Sequence, residues 1–144
     1  MSLLRSRHHT HGKYFKVSAV LEKPHSIKPA QSSRHASPQV FAGNRDRTVV
    51  AWEPPKDALE ETVALTGHTG WVRALATCGQ WLFSGSCSTL RQWDMSRAVP
   101  RLLRDVKLDK GDIQSLTAGN NSVYACSADG SIQCVSFCIL PFIQ

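Results

Sequence analysis

Phe83-Ser84-Gly85-Ser86-Cys87-Ser88-Thr89-Leu90-Arg91-Gln92-Trp93-Asp94 is the stretch that decides the fold. It opens on an aromatic and a small tripeptide, passes a short polar turn, and then a hydroxyl residue begins an apolar strand. The same order recurs upstream as Phe41-Ala42-Gly43-Asn44-Arg45-Asp46-Arg47-Thr48-Val49-Val50-Ala51-Trp52-Glu53. It recurs downstream as Tyr124-Ala125-Cys126-Ser127-Ala128-Asp129-Gly130-Ser131-Ile132-Gln133-Cys134-Val135-Ser136. Phe41, Phe83 and Tyr124 are therefore 42 and 41 residues apart. A fixed period near forty residues marks one supersecondary unit copied in tandem. Units of this kind cannot bury their apolar faces alone, so they stack, and the stacks mostly serve as binding surfaces.

From Gln39 onward, short apolar runs alternate with turn residues at the spacing of an all-β repeat. Strands are predicted at 39–42, 48–52, 62–65, 71–76, 81–84, 89–93, 102–107, 113–118, 123–126 and 131–135. The turns between them hold Gly, Asn and Asp, the residues that tolerate positive φ in tight hairpins. No segment carries a 3.6-residue apolar stripe, so little helix is expected.

These residues resemble the WD repeat. Leu65-Thr66-Gly67-His68-Thr69-Gly70-Trp71 looks like its Gly-His segment, and Ser84-Gly85-Ser86 with Trp93-Asp94 looks like its Ser-Gly-Ser and Trp-Asp segments. The resemblance covers residues 39–137 and implies β-propeller blades, each a four-stranded antiparallel sheet. The outer copies depart from the pattern. The first ends in Trp52-Glu53, begins at about Gln39, and lacks the first strand of its blade. The third has Leu108-Asp109 in place of Gly67-His68, and Val135-Ser136 in place of Trp93-Asp94. In the family, the Gly-His histidine bonds an Asp in the second turn, and a strand hydroxyl and the Trp extend that network. Asp46 and Asp129 match the Asp position, whereas the middle copy has Ser88 there. No copy holds the full set.

The net charge of +6 is local. Residues 1–40 hold seven Lys or Arg and one acid, Glu22; residues 41–144 hold ten of each sign. Residues 1–38 therefore read as a disordered, basic, Ser- and His-rich tail, residues 39–137 as the repeats, and 138–144 as an apolar tail outside the pattern. Arg- and Ser-rich, acid-poor composition is that of an organelle transit peptide, and Val17-Ser18-Ala19-Val20 resembles a chloroplast processing site. A plain disordered tail accounts for this composition equally well, so an intracellular location is expected, in the chloroplast if the tail is a transit peptide, with cytoplasm or mitochondrion as alternatives. His8-His9-Thr10-His11 reads as a solvated run rather than a metal site. The five cysteines, Cys78, Cys87, Cys126, Cys134 and Cys138, are odd in number and without Cys-x-x-Cys spacing, so most are expected reduced and buried. No stretch is long and apolar enough to span a bilayer.

Catalytic patterns are missing. His68 has no activating Ser/Asp or Cys partner in sequence, and its repeat position explains it as a turn residue. No cofactor, metal or enzymatic activity is expected. The expected function is a non-enzymatic protein-interaction scaffold. Arg45, Arg47, Trp71, Arg73 and Arg91 are the candidate exposed partner contacts, because Trp and Arg are common interface anchors. Nucleic-acid binding through the basic tail is the alternative, disfavoured by the neutral body. Closed propellers hold about four to eight blades, and these copies supply about two and a half. The sequence is thus expected to be a truncated or spliced form of a longer protein, or to be completed by oligomerisation or by another chain.

Overall fold

The computed structural model describes residues 15–21, 39–53, 60–97 and 99–137. The histidine run, Cys138, the apolar stretch 138–144, and the tail composition apart from 15–21 lie outside the described residues. Every regular element described is a strand. Three antiparallel sheets follow one another along the chain, each a propeller blade. Blade 1 has the order β1 (Phe15–Leu21), β2 (Gln39–Asn44), β3 (Val49–Glu53), β4 (Glu60–Leu65). Blade 2 runs β5 (Val72–Cys78), β6 (Trp81–Ser86), β7 (Thr89–Asp94), β8 (Arg101–Lys107). Blade 3 has three strands, β9 (Ile113–Gly119), β10 (Ser122–Ser127) and β11 (Ile132–Ser136). All ten strands expected from the period are present.

One strand was not expected. β1 pairs antiparallel with β2, from Phe15 opposite Asn44 to Leu21 opposite Gln39, and gives blade 1 its first strand. The expectation that this copy lacks that strand is corrected. Stepping back 41 residues from Val72 lands near residue 31, far from β1. The connection from β1 to β2 spans residues 22–38, whereas β5 and β6 are joined by a tight turn at Gly79-Gln80. A longer connection adds little closure entropy but breaks the period that a sequence reading follows.

The tight turns use the backbone freedom that hairpins need, partly through unexpected residues. Asn120 and Asn121 have φ of 50° and 60°, the pattern of a primed turn. Arg47 (φ 74°) in the β2–β3 turn and Cys87 (φ 48°) in the β6–β7 turn take the positive φ that Gly130 (φ 83°) takes in the β10–β11 turn.

Strand alternation explains why the blades stack. Leu75, Leu82 and Trp93 of blade 2 join Phe41, Val49, Ala51 and Leu65 of blade 1 in one cluster. The alternate residues Ala74, Phe83 and Leu90 join Ile113, Leu116, Val123 and Phe137 of blade 3 in a second. Blade 2 is thus covered on both faces, so its strands are apolar at successive positions. Phe41, Phe83 and Phe137 are essentially fully buried. Each such side chain stabilises the stack by about 1.5–3 kcal/mol through area removed from water. Phe137 rests on Phe83 with ring centroids 4.7 Å apart. It occupies the place in blade 3 that Met95 occupies in blade 2: the N–H of each bonds back to a turn carbonyl, Asn121 and Gln80 respectively, both at 2.9 Å.

The cysteines differ from expectation. Cys78, Cys87 and Cys126 are only half-buried and Cys134 is exposed. Cys78 and Cys87 sit at a strand end and in a turn, and Cys126 and Cys134 lie on the side of blade 3 away from blade 2.

Candidate functional site

Gly67 and His68 lie in the connection from β4 to β5. Gly67 has φ of 111°, a conformation glycine adopts without strain. Its bare α-carbon also makes room for Arg91, whose guanidinium would collide with any β-carbon there. The chain then turns His68 inward, where it is 5% exposed. Its Nε2 lies 2.6 Å from Ser84 Oγ, and the indole N–H of Trp93 donates to the same oxygen at 2.8 Å. The β4–β5 connection and strands β6 and β7 are tied through one hydroxyl. Nδ1 of His68 is buried and has no hydrogen-bond partner among the described residues. Burial holds the imidazole neutral, with its pKa lowered to about 4; the nearby Arg91 charge adds to this and Asp105 opposes it.

Asp46 and Asp129 serve their own turns. Asp46 Oδ1 accepts from the N–H and hydroxyl of Thr48 at 3.1 and 2.6 Å. Asp129 Oδ1 accepts from the N–H and hydroxyl of Ser131 at 2.9 and 2.6 Å. The Ser131 hydroxyl, then its N–H, holds the Asp129 carboxyl below its ordinary value. Asp94 repeats the motif on Ser96. Desolvation, the largest single influence, lifts its carboxyl, but the Ser96 bonds and the charges of Arg97 and Arg101 together bring it below its usual value. Gly85 sits beneath Ile113 of the next blade. Trp52 lies in β3.

The candidate contact residues separate into two groups. Trp71, just ahead of β5, is 45% exposed. Two guanidinium groups lie over its ring, Arg45 from the second turn of blade 1 at 4.0 Å and Arg73 from β5 at 5.4 Å from the centroid. Arg73 also lies 3.9 Å from the Asp112 carboxylate. Arg47 is exposed in the same turn as Arg45. Arg91 does not belong with them, which corrects the expectation that it is exposed. Its side chain is 13% exposed. It donates to Asp105 Oδ2 from Nε and Nη2 at 3.0 and 2.8 Å, and to the Thr66 carbonyl at 3.3 Å. Arg91 and Asp105 stand directly opposite in the β7–β8 register. The sequence alone does not reveal that register, which is why the partner was missed.

No group of three or more His, Cys, Asp or Glu side chains at metal-binding spacing occurs among the described residues. No helix there is long and apolar enough to cross a membrane.

Residues 59–94 match the family model described as WD domain, G-beta repeat. Residues 59–94 are a WD repeat. The chain is 40% identical over 80 residues to the nuclear distribution protein PAC1 of Arthroderma otae, and 38% identical over 82 residues to that of Tuber melanosporum. These matches take in 54% and 55% of the chain but only 15% and 16% of those proteins. Among solved structures, the computationally designed Ika4 protein superposes with a TM-score of 0.62 at 25% identity, covering 85% of this chain and 66% of that one. The designed Ika8 protein gives 0.61 at 25% identity, covering 84% and 33%. The matched residues take in β4 of blade 1 and β5–β7 of blade 2, and the antiparallel sheet recurs in blade 3 without the signature residues.

Proposed function

We propose that this chain is a non-enzymatic protein-interaction module that binds its partner through the Arg45–Trp71–Arg73 group. The observation that carries this reading is the exposed Trp71 ring with two guanidinium groups over it, at the junction of the first two blades. An indole held by neighbouring cations offers a rigid apolar surface at little entropic cost, and Trp and Arg dominate interface energetics. The WD repeat at residues 59–94 supports the reading, since stacked repeats present binding surfaces. His68 is committed to Ser84 and held neutral, which fits a role in holding the blade together. Completion of the blade set by another chain belongs to the same reading.

The test is affinity capture with the 144-residue chain beside its Trp71→Ala and Arg73→Glu variants, with bound proteins identified by mass spectrometry. A set of proteins retained by the unchanged chain and lost from both variants supports the reading. The same set on all three contradicts it.

A further inference from the structure

Among the described residues, the repeat places one more blade–blade interface than they fill. Phe41 is buried between blades 1 and 2, and Phe83, its counterpart one step later, between blades 2 and 3. The third copy of that position is Tyr124, 42% exposed. Val49 and Leu90 are buried in the same two clusters, and their third copy, Ile132, is 69% exposed. Ala51 and Gln92 are buried, and the third copy, Cys134, is exposed. Three positions that bury themselves against the following blade in copies 1 and 2 thus face solvent together in copy 3.

The strands of blade 3 also lack what an exposed sheet needs. β9 (IQSLTAG), β10 (SVYACS) and β11 (IQCVS) contain no Asp, Glu, Lys or Arg. The exposed outer strand β8 (RLLRDVK) carries four charges in seven residues. Charged side chains keep exposed strands from pairing or stacking with other chains. Blade 3 has the composition of a blade that is covered.

We propose that a second copy of this chain covers it, with blade 1 of that copy stacking on Tyr124, Ile132 and Cys134. The alternation that turns Phe41 and Val49 toward blade 2 leaves Val40, Ala42, Val50 and Ala64 on the far side of blade 1. Ala42 and Val50 are already buried there, so half-buried Val40 and exposed Ala64 are the apolar residues left to meet that face. Two copies of three sheets, joined head to tail at both ends, give six blades, inside the range of about four to eight for closed propellers. Cys126 stands where Gly43 and Gly85 let Val72 and Ile113 approach closely, so the incoming strand sits farther out at that position. The inference deepens the reading of the chain as completed by another chain, and it does not depend on the Trp71 contact.

Sedimentation equilibrium of the 144-residue chain tests it. The expected mass is twice 15.9 kDa. The double variant Tyr124→Asp/Ile132→Asp is expected to weaken self-association by at least about a hundredfold, the scale of burying an unpaired carboxylate. Ala64→Asp, at the other end, is expected to do the same, and mixing the two variants restores one sound interface and a dimer. Lys107→Asp on β8 and Trp71→Ala leave the mass doubled, so loss of partner capture and loss of the dimer are read separately. A retained strand signature in circular dichroism shows that each variant folds. A monomeric unchanged chain overturns the proposal. So does an Ala64→Asp variant that remains dimeric, which would mean that blade 3 pairs with itself.

Discussion

The Nε2 atom of His68 lies 2.6 Å from the hydroxyl oxygen of Ser84. The same oxygen accepts the Trp93 indole N–H, so one small side chain satisfies two larger buried ones. Ser84→Ala leaves both without a partner in a site of almost no exposure. The loss is expected to be about 2–4 kcal/mol, the scale for two orphaned buried polar groups. A urea unfolding curve measures it; a change below about 0.5 kcal/mol would mean the network does not hold the blade.

His68 also makes stability depend on pH. Its ordinary value of 6.5 applies in the unfolded chain, and the folded value is about 4. Between these the unfolded chain binds more protons, so stability is intact above pH 6.5 and falls as pH is lowered toward 4. The fall is expected to be roughly 2–3 kcal/mol. His68→Gln removes the dependence in that window. A midpoint that drops equally in the variant and the unchanged chain would contradict it.

Gly43 and Gly85 occupy the same place in successive copies and serve the same purpose. A β-carbon on Gly43 would lie 2.7 Å from Val72 Cγ1 and 2.8 Å from the Val72 carbonyl oxygen. One on Gly85 would lie 2.7 Å from Ile113 Cγ2. Alanine at either position pushes two blades apart, at a cost of about 1–3 kcal/mol. Gly43→Ala is expected to be the worse, because a backbone oxygen yields less than a methyl group. Thermal unfolding of the two variants gives the order.

The Arg91–Asp105 pair is expected to matter less than its geometry suggests. Asp105 is 45% exposed, so water screens the charge. Asp105→Asn should cost about 0.5–1 kcal/mol, as read from urea unfolding. Arg91→Ala should cost more, because it also frees the Thr66 carbonyl and the Gly67 turn.

The blades were legible because apolar alternation repeats at a constant step, and because burial on both faces leaves blade 2 few polar positions. The link between His68, Ser84 and Trp93 followed from resemblance rather than spacing. β1 was hidden by the long separation from β2, residues 22–38, although Phe15, Val17 and Ala19 alternate with Lys16 and Ser18. The basic, serine-rich surroundings masked that alternation. Arg45 and Arg73 meet Trp71 from different blades, a proximity that only the stacking creates.

The proposed dimer requires the third copy of the blade interface to be covered in solution. Nitration of Tyr124, followed by peptide mass spectrometry, reads this at the position itself. Tyr124 is expected to react at least about tenfold more slowly in the unchanged chain than in Ile132→Asp, where the covering blade is lost. Equal and rapid nitration in both would show that the face is bare and would contradict the account.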